Sequence, residues 1–357
     1  MVPMGEMNMR IRTMRPDDAA GITAVWNSCV KTGEVLYYPL DEDGFRRKFT
    51  EGPGREPGNL IVAENGGRVA GFLHGVAPET FSGAKPGNAY LTTLMVSPAC
   101  RGRGTGRALL EAFKERMADR GAETLYISSL NPVNLEWRIP GTPGHDHNNM
   151  PGADTGCAGY SFLEHCGFTV RYREVAMYMA LDGWILPPEI EETRERLRKE
   201  GIDTGPYDPA RNCGFDRMCD AVGSDYWRDV LRTEIAAWQE GKPNADSRMW
   251  ADGIPPKGPR ILLTAVSGDQ IVGFTGPVDL QKSGRGWFTG ICTDPSFERK
   301  GIATVLFNLL MEAFVREGAA FSTLFTGLES HARKVYERAG MRPVRQFSLM
   351  AMPLKGR

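Results

Sequence analysis

Val96-Ser97-Pro98-Ala99-Cys100-Arg101-Gly102-Arg103-Gly104-Thr105-Gly106-Arg107-Ala108-Leu109-Leu110 is the stretch on which the fold turns. It grows out of Tyr90-Leu91-Thr92-Thr93-Leu94-Met95-Val96, whose apolar, β-branched and aromatic side chains suit a buried strand. It runs into a helix with Leu109, Leu110, Phe113 and Met117 on one face. A strand, a glycine-rich turn and a helix present free backbone N–H groups to an anion at the positive end of a helix dipole. The glycines allow close approach of backbone to anion, and Arg101, Arg103 and Arg107 add positive charge around it. No Gly-Lys-Ser/Thr follows, so this is not a Walker loop, and the glycine spacing is not the G-x-G-x-x-G of dinucleotide folds.

The 357 residues suggest two domains, and 41% hydrophobic with 24% charged residues describes an ordinary globular chain. A net charge of −1 argues against a nucleic-acid partner. No apolar run reaches membrane-spanning length, and Met1 to Arg12 lacks the pattern of a signal peptide. Seven cysteines without a C-x-x-C pair read as reduced thiols, so the expected location is cytoplasmic.

Taken in order, Met1–Met9 reads as a loose tail and Arg10-Ile11-Arg12 as a first strand. Pro16-Asp17-Asp18 opens a helix with Ile22, Val25, Trp26 and Cys29 on its buried face. Asn65-Gly66-Gly67 joins two apolar runs as a hairpin. After the glycine-rich turn come a strand at Leu125–Ser128 and a polar loop from Asn131 to about Thr155. A short helix at Gly159–His165 and a strand at Val175–Leu181 follow. Then the order restarts. Ile261–Phe274 forms a second hairpin, Trp287–Thr293 a strand, and Glu298-Arg299-Lys300-Gly301-Ile302-Ala303 a second turn. A helix carrying Val305, Leu306, Leu309, Leu310 and Phe314, a helix at Ala332–Ala339 and a strand at Phe347–Met352 complete it.

Pro98 and Pro295, Gly104 and Gly301, and Gly121 and Gly318 each lie 197 residues apart, the mark of an internal duplication. Gly167 and Gly340 lie 173 apart, so the first half carries about 24 extra residues in the loop after Leu130. Between the halves, Pro187 to Arg198 has the proline, early acids and late bases of a helical connector, its mixed charges reading as a solvated face. Another helix is expected over Trp227–Trp238.

Arg101-x-x-Gly104-x-Gly106 after Val-Ser-Pro resembles motif A of the GCN5-related N-acetyltransferases, and both halves resemble that family along their length. The resemblance implies a tandem duplicated acyl-CoA N-acyltransferase fold of the α/β (α+β) class, each half a central mixed sheet flanked by helices. The expected limits are 1–182 with the extra loop 131–155, a connector over 183–200, and 201–357. It implies acetyl-CoA as co-substrate and direct transfer of its acetyl group to a primary amine on a small molecule or peptide. A non-catalytic acyl-CoA sensor of the same fold is the alternative.

By the same resemblance, backbone at Leu94, Met95 and Val96, and at Ile291, Cys292 and Thr293, would align the thioester. The pyrophosphate would rest on Arg101, Gly102, Arg103, Gly104, Thr105, Gly106 and Arg107, or in the second half on Arg299, Lys300, Gly301, Ile302 and Ala303. The second turn departs from the family by carrying Glu298 where relatives have Arg or Gln. A frequent family asparagine would fall at Asn131. The family's acid for the departing thiolate, a tyrosine four residues before a glycine, matches Tyr336; in the first half that position is Leu163, with Tyr160 one helical turn earlier as a substitute. Neither long strand carries a Glu base. The extra loop offers His145 as a base, and His145-Asp146-His147 gives no metal-site pattern. The intact turn favours the first half as the acetyl-CoA site.

Overall fold

The computed structural model describes residues 9–51, 55–78, 80, 85–128, 133–147, 149–223, 225, 228–229, 232, 236 and 261–354. The expected tail and most of the helix expected over Trp227–Trp238 lie outside the described residues. The chain divides into two compact units, Met1–Val175 with Arg345–Arg357, and Ala176–Val344.

The first unit holds strands β1 (Met9–Thr13), β2 (Leu60–Asn65), β3 (Arg68–Val76), β4 (Asn88–Val96) and β5 (Thr124–Ile127), which neighbour one another in that order. Pairing is antiparallel from β1 to β4 and parallel between β4 and β5. Side chains alternate across β2 and β3, as the two-residue period of a strand requires. Ile61, Ala63 and Leu73 face helix α3 (Thr105–Asp119), which contributes Leu109, Leu110, Phe113 and Met117. Leu60, Val62 and Phe72 face α1 (Ala19–Lys31) and α2 (Glu42–Phe49), which contribute Ile22, Val25, Trp26, Phe45 and Phe49. The β2–β3 hairpin turns on Gly66 and Gly67, both with φ near the left-handed region at 56° and 76°.

The extra loop contains three two-residue strands, β6 (Trp137–Arg138), β7 (Asp146–His147) and β8 (Ala153–Asp154), and ends in α4 (Gly159–His165). Strand β9 (Thr169–Ala180) follows, and from Ala176 on the chain belongs to the second unit.

That unit contains α5 (Pro188–Lys199), β10 (Ile202–Pro206), α6 (Phe215–Val222), β11 (Leu263–Ser267) and β12 (Gln270–Gly276). After them come β13 (Asp279–Leu280), β14 (Arg285–Trp287), β15 (Gly290–Thr293), α7 (Ile302–Arg316), β16 (Phe321–Gly327) and α8 (His331–Arg338). β10, β11, β12 and β15 form an antiparallel sheet. β14 lies between β16, parallel to it, and β13, antiparallel to it. The strand expected over Trp287–Thr293 is interrupted: Arg285–Trp287 joins β16 while Gly290–Thr293 joins β12. α7 begins and ends 197 residues after α3, so the duplication holds through both helix ends.

The final strand β17 (Arg342–Pro353) leaves the second unit at Arg345. Its far end pairs antiparallel with β5, from Met350↔Ile127 to Pro353↔Thr124. In the second unit the end of β9 neighbours β16, with Tyr178 stacked on Phe321 at 5.6 Å. The last strand of each repeat is thus exchanged. Both are apolar β segments, and their pattern sets which side is buried but not which sheet receives them. The limits 1–182 and 201–357 remain our proposal for the ancestral repeat, distinct from these packing units.

Candidate active site

The turn after β4 follows from its glycines. Gly102 and Gly104 have φ of 73° and 81°, and Gly104 caps α3. The first N–H groups of α3 therefore point out of the helix without intrahelical partners. Of the three arginines, Arg103 and Arg107 are exposed, whereas Arg101 braces the scaffold. Its Nε donates to the Val96 carbonyl at 3.1 Å, and its guanidinium pairs with Glu34 and reaches Cys29 Sγ at 3.6 Å. Its charge is shared with a carboxylate, a limit on the anion-binding role expected of it.

β4 and β5 are in register only from Asn88↔Thr124 to Tyr90↔Tyr126. β4 continues to Val96 while β5 stops at Ile127, so the two strands part. A cavity of about 580 Å³ occupies the gap. Its walls include Leu94, Met95 and Val96 of β4, the turn from Arg101 to Arg107 without Arg103, and Tyr160 and Leu163 of α4. Glu34 and Tyr37 line it from the segment after α1, and Asn149, Met150 and Gly152 to Asp154 from the extra loop. Gly106 is the close point: a Cβ there would sit 3.3 Å from the Phe162 ring.

β4 also carries a bulge. The register with β3 shifts between His74 and Gly75, leaving Thr92 as the extra residue on the cavity wall. Thr92 Oγ1 donates to the His74 carbonyl at 3.0 Å and lies 2.7 Å from His74 Nδ1, which must therefore carry its proton. Burial pushes the His74 imidazole down to about 3, so it is neutral and serves to hold the bulge. Sequence reading missed His74, because nothing local links it to Thr92.

The extra loop is fastened to β17 within the same unit. Arg345 donates to both oxygens of Asp154 at 2.6 and 2.8 Å, and Thr155 N–H donates to the Gln346 carbonyl at 3.1 Å. A Cβ on Gly152 would lie 2.3 Å from the Ser348 carbonyl oxygen, so only glycine permits that approach. The Tyr160 hydroxyl lies 2.9 Å from Ser348 Oγ.

The other expected residues sit elsewhere. His145 is buried in the loop's own core, 6.0 Å from Trp137 and 5.0 Å from His147 between ring centroids, and it does not line the cavity. Asn131 lies outside the described residues. Tyr336 is buried 4.7 Å from the Phe307 ring, and burial raises the pKa of its hydroxyl.

The second turn keeps its backbone path, with Arg299 at φ 61° where the first turn has Gly102, and Gly301 at 93°. Ile302 is buried, Ala303 is half-buried, and Ile291 and Thr293 lie half-buried in β15. The connector α5 covers the turn: Arg196 donates to the Lys300 carbonyl at 2.8 Å and Lys300 pairs with Glu200 at 2.8 Å. A Cβ on Gly301 would meet Thr193 at 3.1 Å and Arg196 at 3.4 Å. The connector's expected solvated face is thus corrected on this side, where Ile190 and Leu197 are also buried.

A helix N-terminus beside two parting parallel strands, repeated in one chain, defines an acyl-CoA N-acyltransferase fold in tandem. Solved structures agree on the fold. A GCN5-related N-acetyltransferase from Sphaerobacter thermophilus superposes with TM-score 0.53 at 19% identity, covering 97% of this chain and 96% of that one. A tandem GNAT protein from the clavulanic acid biosynthesis pathway gives 0.51 at 14% identity, covering 98% and 99%. The acetyltransferase (GNAT) family model matches residues 26–136 and 225–341. The chain belongs to that family of acetyltransferases. It is 39% identical over 82 residues to the L-2,4-diaminobutyric acid acetyltransferase of Nocardia farcinica, a match spanning 22% of this chain and 40% of that relative. Among the described residues no helix is long and apolar enough to cross a membrane.

Proposed function

We propose that the first half binds acetyl-CoA and transfers its acetyl group directly to a primary amine of a small molecule or peptide. One observation carries this reading: a single cavity joins the N-terminus of α3 to the open edge of β4, with Tyr160 among the residues of its wall. The pyrophosphate would take the N–H groups of Gly102 to Arg107, with Arg103 and Arg107 at the rim. Backbone at Leu94, Met95 and Val96 would align the thioester. The amine nitrogen attacks the carbonyl carbon, the C–S bond breaks, and Tyr160 protonates the thiolate. Glu34 lines the cavity with one carboxylate oxygen paired to Arg101, and in this reading its other oxygen accepts the proton that the amine loses. Asp154 is less suited, because Arg345 holds both of its oxygens.

The second half, in this reading, keeps Ile291, Thr293 and Arg299 to Ala303 as a structural copy with α5 packed against its turn, and Tyr336 as core. The experiment is thiol release from acetyl-CoA over a panel of primary amines that includes 2,4-diaminobutyrate, alongside calorimetry with CoA. Release with at least one amine supports transfer. CoA binding with no release over the panel favours the sensor, and absence of CoA binding overturns both.

A further inference from the structure

We propose that Ser348, contributed by the C-terminal strand, is the positioning residue that holds Tyr160 as proton donor to the departing thiolate. This rests on the first half being the acetyl-transfer site. Leu163 stands where the family resemblance puts the acid and cannot donate a proton, which leaves Tyr160 as the hydroxyl-bearing residue of α4 on the same wall. Its hydroxyl has one described partner, Ser348 Oγ at 2.9 Å, across 188 residues of sequence.

Ser348 is fully buried, and a buried hydroxyl needs a hydrogen-bond partner. Its place is fixed by β17. Ser348 stands opposite Ala153 in the β8 pairing, Arg345 clamps Asp154, and Gly152 lets the loop lie directly on the strand. The proton accounting assigns the direction of the bond. Tyr160 O–H gives its proton to the sulfur as the C–S bond breaks, and Ser348 O–H donates to Tyr160 Oη. As the phenolate forms, that bond becomes charge-assisted and strengthens, so it favours the transition state over the ground state. The phenolate recovers its proton from solvent after the thiol leaves.

The test uses the full-length chain with acetyl-CoA as donor and hydroxylamine as acceptor, an amine small enough to need no acceptor pocket. Thiol release is followed above the uncatalysed rate. Ser348→Ala should lower kcat by about 10- to 100-fold, the range for a hydrogen bond to a charged group, and leave the KM for acetyl-CoA unchanged. Ser348→Thr should restore most of kcat. In a Tyr160→Phe background, Ser348→Ala should cost nothing further, since the hydroxyl it serves is gone. Undiminished kcat in Ser348→Ala, or an equal loss in the Tyr160→Phe background, overturns the proposal; the second result marks a merely structural serine. Full kcat in Tyr160→Phe removes Tyr160 as donor while leaving the first-half site intact. Lack of CoA binding by the unmodified chain removes the site itself.

Discussion

Gly75→Ala adds one methyl group where the structure has no room for it. The new Cβ would lie 2.1 Å from Phe113 Cζ, 2.8 Å from Phe113 Cε1 and 2.6 Å from the Tyr90 carbonyl oxygen. Carbon atoms pack at about 3.5–4.0 Å, so the ring must retreat by roughly 1.5 Å. Phe113 is fully buried between α3 and the sheet, and its neighbours Leu109, Leu110 and Met117 are fully buried as well. The ring cannot swing into solvent, so the strain passes to the α3–β3 contact. Overpacking of this kind costs about 1–3 kcal/mol, and the 2.1 Å contact belongs at the upper end. α3 carries at its N-terminus the turn proposed to hold the pyrophosphate, so CoA affinity should fall together with stability. Gly66→Ala is the control: its φ is 56° with nothing within 4 Å, so only backbone conformation is strained, at about 1 kcal/mol. Urea unfolding of both variants measures the difference, and a CoA titration measures the functional consequence. Equal destabilisation of the two, or a Gly75→Ala loss under about 0.5 kcal/mol, would refute the packing argument.

Gly104→Asp sets a carboxylate beside a diphosphate; at about 1 kcal/mol per charge pair in water, two phosphate charges weaken CoA binding by roughly 30-fold, read by calorimetry. Tyr336→Phe should leave turnover unchanged, because that ring is core packing, and a collapse of kcat would return the chemistry to the second half. The Arg12 guanidinium donates to Asp18 at 2.6 and 2.8 Å and holds its carboxyl below the usual carboxylate range. A depressed folded-state pKa means that this stabilisation is complete above the ordinary carboxylate range and is lost as the pH falls. Thermal midpoints between pH 6 and 3 should therefore drop less steeply in Asp18→Asn than in the natural sequence.

The parts of the molecule governed by local chemistry were legible in the sequence. Positive-φ glycines marked the turns, the 197-residue offset marked the repeat, and the apolar face of α3 is the one that lies on the sheet. The cavity-lining turn came from the same signals, and Tyr160 from the family resemblance as a substitute for the acid at Leu163. What escaped depends on distant pairing. Val175–Leu181 and Phe347–Met352 are interchangeable as apolar strands, so their exchange carries no local mark. Glu34 has no motif, and it reaches the cavity wall beside Arg101 through a pairing 67 residues apart in sequence. His145 suits a base by the chemistry of its imidazole, yet it is buried beside Trp137 within the loop. The contacts between the connector and the second turn depend on its docking, which its charge pattern alone concealed.

The central claim is that two copies of one fold make a single acetyl-CoA site, and the stoichiometry of CoA binding tests it most directly. Calorimetric titration of the full chain with CoA should give one molecule bound per chain, and that binding should weaken sharply in Gly104→Asp. Two molecules per chain, or one whose affinity ignores Gly104→Asp, would contradict the account.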